Sequence, residues 1–132
     1  MHKNIINTST APRAIGPYSQ AVKAGGFVFV SGQIPIDPAT GKVISGTIEE
    51  ETRRVMENLK AIIAVAELGM ENIVKTTIFL TDLGDFAKVN DVYGSYFPSD
   101  PPARATIQVA ALPKGVRVEI EAIAVINDKC QV

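Results

Sequence analysis

One stretch constrains the fold more than any other: the alternation between Pro101 and Ile126, PPARATIQVAALPKGVRVEIEAIAVI. In its first half, Arg104, Thr106 and Gln108 fall on one side and Ala105, Ile107 and Val109 on the other. In its second half, Arg117, Glu119 and Glu121 oppose Val118, Ile120, Ala122 and Ala124. A period of two belongs to strands, because successive side chains there point to opposite faces. The stretch predicts two strands joined by a turn. If they are neighbours with their apolar faces buried together, two arginines and two carboxylates share one surface. That surface is either a solvated face or a site.

The preceding chain supplies the partners. Lys3 to Thr8, with Ile5 and Ile6, predicts a short edge strand, and Ser9 to Pro17 a loop punctuated by prolines and a glycine. Tyr18 to Lys23 and Gly26 to Ile34 predict a hairpin turning at Gly25-Gly26. In the second of these strands Val28 and Val30 face one way, and Phe27, Phe29, Ser31 and Gln33 the other. Pro35 to Gly46 is turn-rich and expected to be exposed. Thr47 with Glu50 fits a capping box. Ile48, Val55, Met56, Leu59, Ile62, Ile63 and Ala66 then recur at helical spacing. Glu49, Glu50 and Glu51 suit the positive end of the helix dipole. With Gly69 as the stop, a helix is predicted over Thr47 to Leu68. Asn72 to Thr81 predicts a strand with Val74, Thr76, Ile78 and Leu80 on one face and Lys75, Thr77 and Phe79 on the other. Asp85 is placed to cap a second helix whose buried stripe is Phe86, Val89, Tyr93, Tyr96 and Phe97. Pro98, Pro101 and Pro102 end it.

This order describes an α+β domain over residues 1–132, without repeats or linkers. Two amphipathic helices can cover one face of the sheet. The other face would carry Phe27, Phe29, Phe79, Ile123 and Val125, more apolar surface than a soluble monomer ordinarily exposes. An oligomer with open sheet faces meeting is therefore expected. Net charge is −1 with no block of like charges, so neither a nucleic-acid nor a membrane partner is indicated. The first twelve residues lack an apolar signal core and no run reaches membrane-span length, so a cytoplasmic address is expected. The single cysteine, Cys130, excludes an internal disulfide framework and reads as an inert tail thiol. With it and the single histidine, His2, too few ligands exist for an ordinary zinc or haem site, and no metal or other cofactor is expected.

Arg104 has the chemistry to grip a carboxylate or phosphate in bidentate fashion. It could equally pair internally with Glu119 or Glu121. A glutamate in a desolvated cleft acquires a raised pKa and can move protons. Alternation does not choose between Glu119 and Glu121, and a solvated position is expected for at least one. Tyr18 is a candidate donor or a packing residue at a strand start. Asn90, at the border of the second helix's buried stripe, either orients a ligand or is a boundary polar residue. Ser31 has no G-x-S-x-G context, and glycine-rich phosphate loops are missing. The residues alone point to a small-carboxylate site with acid/base capability.

Several ordered segments resemble the RidA family (YjgF/YER057c/UK114). They are AIGPYSQAV from Ala14, SGQIP from Ser31, VKTTIFLTDLGDFAKVN from Val74, YFPSDPPARATIQVAALP from Tyr96 and VEIEAIAV from Val118. The likeness spans nearly the whole chain. It implies a chorismate-mutase-like fold, with two helices on one face of a mixed sheet. It implies a homotrimer whose sheets face a barrel-like core, with clefts between subunits. It implies hydrolysis of reactive 2-enamine and 2-imine acids, such as 2-aminoacrylate released by pyridoxal-phosphate enzymes, to 2-oxo acids and ammonia. By position, Arg104 would hold the substrate carboxylate and Glu119 would handle water, with Tyr18, Ser31, Gly32, Asn90 and Thr106 lining the site. Many relatives carry cysteine where this chain has Thr106, so no thiol role exists there. A non-catalytic carboxylate-binding regulator of the same fold is the alternative, and a ribonuclease or translation inhibitor a more distant one.

Overall fold

The computed structural model describes residues 2–126, so Cys130 lies outside the described residues. Chain order runs β1 (Asn4–Ile6), β2 (Ala21–Ala24), β3 (Phe27–Gln33), β4 (Ile36–Asp37), β5 (Lys42–Val43), α1 (Ile48–Val65), β6 (Ile73–Leu80), α2 (Phe86–Gly94), β7 (Ala103–Gln108) and β8 (Val118–Val125). Six strands form one sheet in the order β1-β2-β3-β8-β6-β7, and β4 and β5 form a separate two-stranded ribbon. That ribbon lies within the turn-rich segment Pro35 to Gly46, and its Ile36 is buried rather than exposed.

The predicted β2–β3 hairpin is present and antiparallel, with Gly25 and Gly26 both at positive φ (59° and 85°). Two successive left-handed residues make the turn whose twist matches paired strands, and glycine adopts them without strain. β2 itself starts later than expected, leaving Tyr18 in the preceding loop, 53% exposed. α1 carries its capping box as read: Thr47 Oγ1 accepts from the Glu50 amide and a Glu50 carboxylate oxygen accepts from the Thr47 amide, both at 3.1 Å. It ends earlier than predicted, at Val65. Glu67, not Gly69, takes the left-handed turn (φ 61°), and the Leu68 amide reaches back to the Ile63 carbonyl. α1 lays Val55, Met56, Leu59, Ile62 and Ile63 fully buried on β3 and β8. Each such side chain contributes about 1.5–3 kcal/mol relative to exposure. α2 packs against α1 with Val89, Val92 and Tyr93 buried; Phe86 and Tyr96 reach the core only in part.

The last two strands are joined by a turn but are not neighbours. β8 lies between β3 and β6, antiparallel to both, and β7 sits at the edge, parallel to β6. The strand–helix–strand unit β6–α2–β7 accounts for the parallel pairing, because a helical crossover returns the chain parallel to its starting strand. Two bulges also re-aim side chains. Val74 is the extra residue of β6 and is 40% exposed, so it does not share the Thr76, Ile78 and Leu80 face. β3 gains one residue between Val30 and Gln33, which turns Gln33 onto the core face, away from Phe27 and Phe29.

Both helices cover one face of the sheet. The opposite face exposes Phe27, Phe29 and Ile107, with Phe79, Ile123 and Val125 half-buried around them. The open apolar face expected from the helix count is therefore present. Among the described residues, no helix is long and apolar enough to cross a membrane.

Candidate active site

Glu119 stands on β8 opposite Phe79, on the sheet side away from the helices. It is half-buried, and burial first, then the neighbouring Glu121 charge, holds its carboxyl above the usual value of 4.5. Glu121, two residues along, is exposed. The alternation could not separate the two glutamates; their burial does. A cavity of about 610 Å³ opens here, lined by Tyr18, Ser31, Gly32 and Glu119 together with Arg13 and Lys114. Gly32 lets the carboxylate nest against β3: a Cβ there would lie 1.9 Å from Glu119 Oε2, so the glutamate side chain would have to move. The β3 bulge produces this contact, because Ser31 and Gly32 fall within it, across from β8. Ser31 also ties the wall together, its hydroxyl donating to the Ser19 carbonyl at 2.6 Å and its amide to the Gln20 carbonyl at 3.0 Å.

Arg104 lies elsewhere. On β7 its Cα partner is Thr76, a core-facing residue, so the arginine emerges on the helix side at the sheet edge. Its Nη1 donates to Asn90 Oδ1 at 2.7 Å, and its guanidinium carbon sits 5.3 Å from the Phe86 ring centre and 5.1 Å from that of Tyr93. A second cavity of about 410 Å³ adjoins it, walled by Asn90, Tyr93, Phe97, Pro101 and Pro102. Thr106, half-buried beside Ile78, follows on the same side of β7.

Within one chain the predicted residues thus form two groups. Tyr18, Ser31, Gly32 and Glu119 share one cavity; Asn90 and Arg104 share another, with Thr106 near the second. The surface on which two arginines and two carboxylates were to meet is not formed, because β6 separates β7 from β8. Arg117 also leaves that surface: its Nε donates to Glu51 Oε2 at 2.9 Å and its Nη2 to Glu51 and to the Gly46 carbonyl. It fastens the start of β8 to the first turn of α1. Arg104 pairs with neither Glu119 nor Glu121; the ion pair among the described residues is Arg117–Glu51.

Sequence reading missed several participants. Gln20, 2% exposed, accepts from the Thr8 amide at 2.7 Å and donates to the Thr8 and Pro12 carbonyls at 3.0 and 2.8 Å. It pins the loop that carries Arg13 into the Glu119 cavity. A polar residue at the mouth of a strand was the only signal. Lys114, at φ 57°, faces the same cavity from a tight turn; no local pattern marks it. Phe86 and Tyr93 belong to the core stripe as expected and also flank Arg104; their i, i+4, i+7 spacing with Asn90 puts all three on one helix face.

The family model described as Endoribonuclease L-PSP matches residues 8–126. The chain belongs to this YjgF/RidA family. It is 58% identical over 127 residues to Protein DfrA of Myxococcus xanthus, covering 95% of this chain and 97% of that one. To the 2-iminobutanoate/2-iminopropanoate deaminase of Homo sapiens it is 49% identical over 123 residues, covering 93% and 90%. Among solved structures it is similar to E. coli TdcF with bound serine, with a TM-score of 0.90, 49% identity, and coverage of 94% and 99%.

Proposed function

We propose that this protein is a hydrolytic deaminase of reactive 2-imino acids and their enamine tautomers, yielding 2-oxo acids and ammonia. The observation that carries the reading is Glu119: a carboxyl held above its ordinary pKa, nested against Gly32 in a cavity large enough for a small substrate. Relatives near 50% identity that are named as imine deaminases support it. A simple carboxylate binder needs Arg104 but has no use for such a glutamate. Net charge −1 disfavours RNA as a substrate, because phosphate contacts dominate nucleic-acid affinity.

The chemistry needs a carboxylate anchor and a proton-handling group. The enamine takes a proton at its methylene carbon and loses one from nitrogen, giving the imine. Water then adds to C2, its proton passing to Glu119 and on to nitrogen. Glu119 then carries the hydroxyl proton to the amino nitrogen, the C–N bond breaks, ammonia departs with the bonding pair, and the oxygen closes the carbonyl. Arg104 would hold the substrate carboxylate through a bidentate pair.

Arg104 and Glu119 lie on opposite sides of one chain's sheet, so we further propose that the working site forms between subunits. In that arrangement the Arg104 group of one copy faces the Glu119 cavity of the next, in a homotrimer joined through the open sheet faces.

The test couples the protein to a dehydratase that generates 2-aminoacrylate and follows 2-oxo acid formation. Acceleration is expected with the parent protein and near-complete loss with Arg104→Ala. Glu119→Gln should keep ligand binding and lose rate. Full activity in an Arg104→Ala variant that keeps the parent's oligomeric state would refute the site.

A further inference from the structure

Arg104 stands on an exposed edge strand, where a long cation keeps its rotamer freedom unless something holds it. Three residues of α2 hold it. Phe86, Asn90 and Tyr93 are spaced i, i+4 and i+7, which places them on one helix face. Asn90 Oδ1 accepts from Nη1 at 2.7 Å. The two ring centres, at 5.3 and 5.1 Å from the guanidinium carbon, are within cation–π range. Tyr93 is itself fixed. It is 4% exposed, and its hydroxyl shares a hydrogen bond of 2.7 Å with Thr76 Oγ1. Thr76 is the residue paired with Arg104 across β6 and β7. The ring beside the guanidinium is thereby anchored to the strand next to the one that carries the arginine. A guanidinium has five N–H donors in a planar fork. Asn90 occupies one nitrogen, and donors remain for a two-point carboxylate contact.

We propose that Phe86, Asn90 and Tyr93 are positioning residues. Together they set the direction of the Arg104 fork, so that its free edge meets the substrate carboxylate. Asn90 acts through Arg104 as a hydrogen-bond acceptor and does not touch the substrate. The inference rests on the carboxylate-anchor role proposed above for Arg104.

The probe is 2-oxobutanoate, a product of the proposed reaction class, with its Kd measured by calorimetry on the full chain alongside the coupled rate. Arg104→Ala should abolish measurable binding. Phe86→Leu and Tyr93→Leu, which keep apolar bulk but remove the π-face, should each weaken binding about fivefold. Tyr93→Phe should recover most of what Tyr93→Leu loses. Parent-like Kd in Phe86→Leu and Tyr93→Leu, with binding lost in Arg104→Ala, overturns the positioning role and leaves the anchor standing. Parent-like binding in Arg104→Ala overturns the anchor and the positioning role with it. Should Tyr93→Leu fail to fold, Phe86→Leu, at a half-buried position, carries the test alone.

Discussion

At the scale of single residues, burial and then the Glu121 charge raise the pKa of Glu119 above its ordinary value. Its native pKa lies above the ordinary 4.5, so between those two values the folded protein binds a proton that the unfolded chain releases. Stability from this group is present at low pH and is lost as pH rises through the native pKa. Glu119→Gln removes the titration. Its Tm is expected to exceed the parent's at pH 8, with the gap closing near pH 4, where both states are protonated. Equal Tm differences at the two pH values would show that burial does not destabilise the charge. The same residue shows how far local pattern reaches. Alternation put Glu119 and Glu121 on one face, correctly, but exposure separates them. That difference comes from β3, whose bulge brings Gly32 against one carboxylate.

At the scale of elements, α1 and its neighbours carry two further tests. Asn58 is fully buried on α1, and its amide nitrogen donates to the Ile34 and Ile36 carbonyls at 3.2 and 3.0 Å. It fastens the exit of β3 and the start of β4 to the helix. Asn58→Leu should destabilise by about 1–3 kcal/mol, chiefly through the Ile36 carbonyl, because the Ile34 carbonyl still accepts from the Ile36 amide at 2.7 Å; urea denaturation reads the loss. Glu67 ends α1 at φ 61°, a conformation that suits glycine. Glu67→Gly should therefore raise stability by about 0.5–1 kcal/mol in the same assay; a loss would show that the glutamate side chain contributes at the cap. The capping box was legible at Thr47 and Glu50 because it is local, three residues apart. The helix ends three residues before the predicted Leu68 because Gly69 is only the more familiar stop, whereas Glu67 takes the left-handed turn and the Ile63–Leu68 hydrogen bond closes the helix at Val65. The β3 and β6 bulges were invisible for a related reason: an inserted residue shows itself only against its partner strand.

At the scale of the whole molecule, the open sheet face is the dominant unpaired feature. Phe27, Phe29 and Ile107 are each more than two-fifths exposed, beside Phe79, Ile123 and Val125. Under the proposed trimer, sedimentation at micromolar concentration should give three copies, and Phe29→Glu should shift the mass toward one. A stable monomer of the parent protein would remove the intersubunit site. The residues alone determined the main inventory: the six strands of the sheet, the two helices, and that two helices leave one sheet face bare. Those properties follow from side-chain periods of 2 and 3.6 residues, which are local and written in order along the chain. Which strands touch was decided only in three dimensions. β8 inserts between β3 and β6 and sends β7 to the edge, so Arg104 and Glu119, fifteen positions apart on alternating strands, emerge on opposite sides of the sheet. Strand pairing rests on non-local hydrogen bonds and a helical crossover, and no period in the sequence encodes a neighbour.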